Sequence, residues 1–293
     1  MAVEHAARAR SDADSAARRA AVEVRALRAG EVAQAARLLT AIWGNPTIEP
    51  PLMVALEHSG AYVAGAFAAG EPDRMVGACV GYFAQPLGQA LHSHVAGVAP
   101  GTERRGVGMA MKLHQRAWAL ERGLTRITWT FDPLVSRNAA FNIERLGVDI
   151  DEYLVDFYGE MSDGVNAGQG SDRLLAAWRL DKPLPTRPPA ASTEAARPDA
   201  VARDQTPPHR ERHSASASAL EPGSSGDPRV RVPDPSAPEI AIAVPPDIEA
   251  LRRERPESAA RWRGAVRGAM VPLLDRGWRV TGFHDHHYLL GRP

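Results

Sequence analysis

The chain is 293 residues long, which exceeds the ~100 to 200 residues of an ordinary domain and predicts one domain with appendages, or two domains. Its 35 basic and 35 acidic residues balance, so no overall charge points to nucleic acid or to an anionic membrane as a partner. The single cysteine, Cys79, excludes an internal disulfide and a metal site built from cysteines alone, and it suits a reducing compartment.

Residues 1–20 are predicted to form a disordered tail, because they are rich in Ala, Arg, Asp and Ser and show no sustained apolar stripe. They lack the apolar stretch of a signal peptide, and their interleaved acidic residues are unlike a transit peptide. No run in the sequence approaches the ~20 consecutive apolar residues of a membrane span. We therefore expect a soluble, cytoplasmic protein.

Ordered structure is expected to begin with an alternating strand over residues 22–26. Apolar positions at helical spacing predict a helix over residues 29–43, which the Gly-Asn-Pro run after it ends. The next predicted elements are a helix over residues 49–58 and strands over residues 61–68, 74–83 and 91–98. This order predicts an antiparallel meander.

The last of these strands leads into a glycine-rich, basic turn, Pro-Gly-Thr-Glu-Arg-Arg-Gly-Val-Gly at residues 100–108. Gly106 and Gly108 allow the backbone to turn tightly and to approach a ligand closely. The free N–H groups of the helix that follows attract an anion, and Arg104 and Arg105 add positive charge. The turn has neither the Lys-Ser/Thr of a P-loop nor the third glycine of a dinucleotide fingerprint. It predicts a phosphate-binding turn of another kind.

Helical and strand patterns alternate after the turn. An amphipathic pattern predicts a helix over residues 109–121, and β-branched and aromatic residues predict a strand over residues 125–131. A short helix over residues 137–146 and a strand over residues 152–158 are expected to complete the unit.

Two segments carry a resemblance to a known family. The run Arg105-Gly-Val-Gly-Met-Ala110 fits Arg-x-x-Gly-x-Gly/Ala, and the segment Asn138-Ala-Ala-Phe-Asn-Ile-Glu-Arg-Leu-Gly147 follows in order. Over roughly residues 22–180 the chain resembles the GNAT acyl-CoA N-acyltransferases, within them a bacterial branch of predicted acetyltransferases with a C-terminal extension. The resemblance implies an α/β fold, a mixed and mostly antiparallel sheet with splayed central strands flanked by helices. The pantetheine arm of CoA is expected in that splay.

The resemblance also implies which residues bind the acyl-CoA. A main-chain N–H group within residues 97–99 would polarise the thioester carbonyl. The predicted CoA-binding residues are Gly97, Val98, Ala99, Arg104, Arg105, Gly106, Val107, Gly108, Met109, Ala110, Asn138 and Asn142. Asn138 either contacts the pantetheine arm or caps its helix, and Asn142 either contacts the thiol region or has a surface role.

Direct attack of an amine on a thioester requires a base for the ammonium and an acid for the thiolate. His92 and His94 are the base candidates, because residues two apart on a strand share one face. The alternative is that both are hydrogen-bonded structural residues. The tyrosine that serves many GNAT enzymes as the acid corresponds to Ile143 here, which leaves Tyr153, Tyr158, a histidine or solvent. No third ligand supports a metal at the histidine pair, and no metal is predicted.

Composition changes sharply near residue 183. We predict an acyltransferase domain over residues 21–182, a disordered Pro-rich linker over residues 183–238, and a C-terminal α/β extension over residues 239–293. About 55 residues make a marginal independent fold, so the extension is expected to dock on the core and to extend its sheet or cover its cleft.

The sequence thus predicts an N-acetyltransferase that uses acetyl-CoA as co-substrate and acts on a primary amine of a small molecule. Arg173 could bind a carboxylate of that acceptor, or pair within the chain with Asp163 or Asp172. The alternatives are a non-catalytic acyl-CoA-binding or sensing module, an enzyme with a longer donor such as succinyl-CoA, and a scaffold that recruits partners through the linker. The oligomeric state stays open.

Overall fold

A computed structural model describes residues 2–102, 105–159, 170–185, 216–234 and 236–292 of the chain. The helices are α1 (Ala2–Ala20), α2 (Val32–Trp43), α3 (Pro50–His58), α4 (Val107–Glu121), α5 (Ser136–Ala139), α6 (Ile248–Glu254) and α7 (Pro256–Asp275). The strands are β1 (Val22–Ala26), β2 (Tyr62–Ala68), β3 (Met75–Ala84), β4 (Ala90–Val98), β5 (Arg126–Phe131), β6 (Asp149–Leu154), β7 (Arg173–Arg179), β8 (Ser216–Pro222), β9 (Pro228–Val230), β10 (Glu239–Ala243), β11 (Arg279–His284) and β12 (His287–Gly291). A 3-10 turn, Ala29–Glu31, precedes α2, and a π-helical segment, Ala140–Leu146, continues α5.

These elements form two compact units, each built from two separate stretches of the chain. The first unit consists of Met1–Asp132 and Val148–Pro183, and the second of Pro133–Gly147 and Leu184–Pro293. In the first unit, seven strands form a sheet in the order β1-β2-β3-β4-β5-β7-β6. Neighbouring strands are antiparallel except β4 and β5, which are parallel.

Strands β4 and β5 diverge in the middle of this sheet. They are paired only along Ala90 to His92 of β4, although β4 continues to Val98. Just past the last pair, the register between β3 and β4 shifts, which makes His94 the extra residue of a bulge. A bulge bends its strand and increases the local twist, so it carries β4 away from β5. The predicted mixed sheet with splayed central strands is therefore confirmed, and we call the gap between the diverging strands the splay.

Helices cover both faces of the sheet. Helix α2 buries Val32, Ala35, Ala36 and Leu39, at the spacing of one helix face. Val63 of β2 packs in the same apolar cluster, whereas its neighbour Tyr62 contacts Trp118 of α4 edge to face at 5.2 Å. Because successive residues of a strand point to opposite faces, α2 and α4 lie on opposite faces of the sheet. We refer to these as the α2 face and the α4 face.

The N-terminal segment is a helix, so the prediction of a disordered tail over residues 1–20 is wrong. Helix α1 buries Ala9, Ala13, Ala16 and Ala20, and the Arg10 guanidinium forms a two-pronged ion pair with Glu121 of α4. A stripe of small side chains lets two helices approach closely, and their contact buries backbone as well as side chains. The stripe contains no large apolar residue, so the sequence pattern did not indicate a helix face.

Strand β7 was not predicted. Its Leu-Leu-Ala-Ala run does not alternate between apolar and polar residues, because β7 lies between β5 and β6 and is covered on both faces. The strand predicted over residues 152–158 is instead β6, Asp149–Leu154, displaced toward the N-terminus.

The second unit contains a separate five-stranded sheet in the order β11-β12-β10-β8-β9. The C-terminal α/β extension is confirmed, and its strands form a sheet of their own, so the first of the two expected arrangements, an extension of the seven-stranded sheet, is wrong. Part of the predicted linker is ordered, since β8 pairs in parallel with β10 and β9 pairs with β8. Leu220 of β8 is fully buried. Strand β8 was not predicted, because it is short and has few large apolar residues that could form a pattern. Residues 186–215 of that linker lie outside the described residues.

Residues of the Pro133–Gly147 segment bond to the C-terminal part of this second unit. The Tyr288 hydroxyl donates to the carbonyl of Pro133 at 2.8 Å, and Ser136 and His286 share a hydrogen bond of 2.6 Å. Arg137 forms a two-pronged ion pair with Glu249 of α6. The segment predicted as a helix of the acyltransferase domain therefore belongs to the second unit.

Candidate functional site: a splayed sheet with an anion-binding turn

The predicted phosphate-binding turn connects the free end of β4 to α4. Helix α4 begins at Val107 after Gly106, whose φ of +88° only glycine adopts readily. Gly106 provides no side-chain cap, so the N–H groups of the first turn of α4 have no partner within the helix. Arg105 is exposed beside them, and Arg104 lies outside the described residues. The turn thus presents N–H groups that have no partner within α4, the positive end of a helix and a guanidinium in one place.

Gly108 leaves space above the first turn of α4. A Cβ atom built there would have Val98 Cγ2 at 3.9 Å as its nearest neighbour, which is an ordinary contact. A small cavity of about 110 Å³ also lies beside the turn and is lined in part by Thr102, Arg105 and Val107. It is far smaller than the about 300–1,000 Å³ of a typical ligand pocket, so a nucleotide would bind over the turn and not inside this cavity.

The main-chain N–H groups of β4 point alternately toward β3 and toward the splay. The Ala99 N–H donates to the carbonyl of Val76 of β3, at 2.8 Å. Because N–H directions alternate along a strand, the N–H groups of Val98 and Ala96 point away from β3, toward the splay. Of the predicted residues 97–99, only Val98 therefore directs its N–H toward the splay, and Ala96, which was not predicted, does the same. A carbonyl oxygen placed in the splay would meet donors at residues 96 and 98.

His92 and His94 lie together on the α2 face with Tyr82 of β3, as predicted from their spacing. The Tyr82 ring lies 5.4 Å from the His92 ring and 5.6 Å from the His94 ring. Burial, then the neighbouring His94 and Lys112, lowers the pKa of His92 to about 4. Burial also lowers the pKa of His94, against a hydrogen bond to the backbone of Thr47. Both imidazoles are therefore neutral near pH 7 and can accept a proton.

The two histidines differ in their position along β4. His92 belongs to the last residue pair with β5, and its Nδ1 shares a hydrogen bond of 3.2 Å with the Thr128 hydroxyl. His94 is the bulge residue at the start of the splay. His94 is thus the better placed of the two to meet a group that enters the splay.

The two tyrosines proposed as acids have different surroundings. The Tyr153 hydroxyl donates to the buried carboxylate of Asp172 at 2.6 Å, and Tyr153 is itself buried, which is the arrangement of a structural residue. Tyr158 is half-exposed, and its hydroxyl shares a hydrogen bond of 3.2 Å with Thr130 of β5. Tyr158 also interacts electrostatically with Tyr82, whose pKa burial raises. Tyr158 therefore belongs to the polar cluster of His92 and His94, and Tyr153 does not.

Arg173 is held within the protein. Its guanidinium donates to the carbonyl of Asp172 at 3.0 Å and lies 3.9 Å from the carboxylate of Asp132, and both ionic side chains are buried. The ion pair with Asp132 was not among the partners predicted for Arg173. An acceptor carboxylate would have to compete with a buried ion pair for this residue.

Asn138 and Asn142 both belong to the second unit. Asn138 is exposed and lies inside α5, whose N-cap is Val135, so Asn138 is not the cap of this helix. Asn142 is buried in the π-helical segment, so the surface role considered for it is wrong. Ile143, at the position of the family's tyrosine, follows it in the same segment.

Within the described residues, no group of three or more His, Cys, Asp and Glu side chains is arranged to hold a metal ion. The His-Asp-His-His run near the C-terminus forms the tight turn between β11 and β12, where Asp285 and His286 have positive φ values. Of the helices that are described, none combines the length and the apolar character needed to cross a bilayer.

No protein-family model matches the chain, and no curated protein sequence matches it. Several solved structures are similar to it. Ard1 from Thermoplasma volcanium is 15% identical, with 57% of this chain and 99% of that chain covered and a TM-score of 0.44. The ribosomal-protein-S18-alanine N-acetyltransferase from Escherichia coli is 13% identical, with 55% and 96% covered and a TM-score of 0.46. Naa50 from Arabidopsis thaliana, in complex with a bisubstrate analogue, CoA-Ac-MVNAL, is 15% identical, with 54% and 97% covered and a TM-score of 0.44. The function proposed below rests on the geometry of this chain.

Proposed function

We propose that the protein is an acyl-CoA-dependent N-acyltransferase that moves an acyl group, most simply acetyl, from CoA to a primary amine of a small molecule by direct attack. One observation carries this proposal. The strand that leaves its parallel neighbour to open the splay is the same strand that ends in the anion-binding turn. An elongated ligand with phosphates at one end and a reactive group at the other is the kind of ligand that such an arrangement accommodates.

Each part of acyl-CoA has a counterpart along β4. The first turn of α4 with Gly108 and Arg105 offers the pyrophosphate N–H groups that have no partner within the helix, and a positive charge. The N–H groups of Val98 and Ala96 offer the amide-rich pantetheine arm and the thioester carbonyl the hydrogen bonds that a strand edge makes. The splay thus fixes the thioester by main-chain contacts, which supplies the proximity that aminolysis needs.

The polar cluster on the α2 face supplies a proton acceptor. We assign His94 as the group that takes the proton of the attacking ammonium, directly or through water, because it is neutral near pH 7 and stands at the start of the splay. Tyr158 and Tyr82 contribute hydroxyl groups to the same surface, and Tyr158 is the candidate acid. The free thiol of Cys79 suits a reducing compartment, which supports the cytoplasm as the place of action.

Calorimetric binding of CoA and acetyl-CoA tests the anion-binding turn. Arg105→Ala and Gly108→Ala are expected to weaken binding by about tenfold or more each, because one removes a charge and the other places a methyl group where the ligand approaches. Arg37→Ala, an exposed arginine of α2, and Gly264→Ala, a helix position with nothing within 4 Å of the added Cβ, are the matched controls. Equal affinities for all five proteins would refute the assignment of the turn.

Turnover separates an enzyme from a binding module. Release of free CoA thiol, followed with a panel of small amines, is expected for the wild type and should fall by about a hundredfold or more in His94→Ala, the range of general-base contributions. Binding of acyl-CoA without thiol release for any amine would favour the non-catalytic acyl-CoA-binding module instead. Absence of CoA binding would refute both.

A further inference from the structure

A buried lysine lies under the narrow end of the splay, on the α4 face. The Lys112 ammonium, from α4, donates to the Ser93 hydroxyl on β4 at 3.0 Å and lies 3.8 Å from the centre of the Trp129 ring on β5. Ser93 and Trp129 are the residues that directly follow the last pair between β4 and β5, His92 with Thr128. The ammonium therefore spans the two strands at the point where they begin to diverge.

This ammonium is buried without a negative partner. Lys112 is 6% exposed, and across the ranges that the structure describes it takes part in no ion pair. The titratable side chains that interact with it are the Cys79 thiol on β3 and the His92 imidazole on β4, and neither of them carries a negative charge near pH 7. Burial lowers the pKa of Lys112 to about 8, so the side chain is still mostly protonated near pH 7. A buried cation of this kind is costly unless an anion joins it.

The choice of lysine at this position is also informative. The chain contains 33 arginines and only two lysines, Lys112 and Lys182. An arginine at position 112 would stay charged at every pH, whereas a lysine can exchange its proton when a partner arrives or leaves. Lys112 is thus one of only two positions where this arginine-rich chain has a lysine, and the other, Lys182, lies at the surface.

The direction of the splay decides which part of the ligand meets Lys112. The anion-binding turn is at the open end of β4, and Ser93 is five residues away from Val98, or about 16 Å along an extended strand. With the pyrophosphate at the turn, the pantetheine arm, the sulfur and the acyl group follow in that order toward the narrow end. The far end of the acyl group is thus the part directed to Ser93 and Lys112.

Resting on the acyl transfer proposed above, we infer that Lys112 selects an acyl donor that ends in a carboxylate, a dicarboxylic acyl-CoA of which succinyl-CoA is the short example. The carboxylate forms an ion pair with the ammonium and accepts a hydrogen bond from Ser93. No covalent step involves Lys112. His94 and the acceptor amine lie on the opposite face, so the specificity contact does not obstruct the attack.

Calorimetry with matched donors tests this inference. Succinyl-CoA and butyryl-CoA have equal numbers of acyl carbons and differ in the terminal carboxylate. We expect the wild type to bind succinyl-CoA at least about tenfold more tightly than butyryl-CoA, because only succinyl-CoA has a carboxylate that pairs with the buried Lys112 ammonium. In Lys112→Met this preference is expected to vanish or to reverse. Lys182→Met removes the other lysine, which pairs with Asp149 at the surface, and should retain the preference.

A second measurement needs no variant. Binding of a carboxylate beside Lys112 raises the pKa of its ammonium, so near pH 8 succinyl-CoA should bind with net proton uptake and butyryl-CoA without it. Calorimetry in buffers of different ionisation enthalpy measures that uptake. Equal affinity for the two donors in the wild type, or a succinyl preference that survives in Lys112→Met, would overturn the inference and leave N-acyl transfer standing. Failure of the wild type to bind CoA itself would overturn the proposed function first.

Discussion

The stability of the unliganded protein should depend on pH through Lys112. Its pKa of about 8, against an ordinary 10.5, means that near pH 7 the folded state holds a proton less tightly than the unfolded chain does. At about 1.36 kcal/mol per pKa unit, burial of this ammonium destabilises the fold by about 3 kcal/mol at neutral pH. The penalty is present in full below pH 8 and is relieved as the pH rises toward 10.5, because only the unfolded state is then protonated.

The variant Lys112→Met removes this dependence while keeping a side chain of similar length. From about pH 7 to about pH 9 the free energy of unfolding of the wild type should gain about 1 kcal/mol relative to the variant. Burial also raises the pKa values of Cys79 and Tyr62, which destabilises the fold at alkaline pH in both proteins. The Tyr62 contribution cancels in the comparison, whereas the Lys112 charge partly offsets the shift at Cys79, so the Cys79 contribution does not cancel completely. Urea unfolding of both proteins at the two pH values measures the difference.

Lys182→Met is the control for this experiment, since its ammonium is half-exposed and pairs with Asp149. It should follow the pH dependence of the wild type. A stability difference between the wild type and Lys112→Met that is the same at both pH values would refute the reasoning, because it would mean that the buried ammonium keeps its ordinary affinity for a proton.

Three further substitutions test the fold around the site. Gly97→Ala should lower the free energy of unfolding by about 1–3 kcal/mol, because the added Cβ would lie 2.7 Å from Ile42 and Trp43. Gly108→Ala should change the free energy of unfolding little, so equal urea midpoints for the two variants would contradict this prediction. Tyr153→Phe should lower the free energy of unfolding by about 1–3 kcal/mol, because the buried Asp172 carboxylate loses a hydrogen-bond donor. The pH profile of thiol release should stay unchanged, and a displaced profile would mean that Tyr153 is a catalytic residue. Ala13→Leu should lower the free energy of unfolding by about 1–3 kcal/mol, because the larger side chain would push α1 away from α4. An unchanged free energy of unfolding would show that the two helices are not closely packed at Ala13.

The sequence predicted the features that depend on local patterns. Gly106 and Gly108 after a strand and before a helix indicated a tight turn, and the structure has that turn between β4 and α4. Its binding of an anion stays a prediction. The spacing of His92 and His94 indicated a shared face, and their rings lie together with Tyr82. The splay itself came only from the resemblance to the GNAT enzymes, because strand divergence depends on pairing between distant residues.

The features that the sequence did not predict depend on tertiary contacts. Helix α1 is held by alanines against α4, and an alanine stripe has no apolar signature until its partner is known. The Ala99 N–H is occupied by Val76 because of the register between β3 and β4, which no local pattern reports. Lys112 lies within an amphipathic helix, where a lysine is ordinarily read as a solvated side chain, and only the burial of its ammonium reveals the site.

The hydrogen bond between Ser136 and His286 joins residues 150 positions apart. During synthesis the Pro133–Gly147 segment leaves the ribosome long before its partners in α6 and the C-terminal hairpin exist. Strand β7, which comes after that segment, can pair with β5 and β6 before the partners of the segment have been synthesised. A chain shortened after residue 185 would leave Pro133–Gly147 permanently without those partners. Any attempt to isolate an acyltransferase fragment should therefore retain the C-terminus.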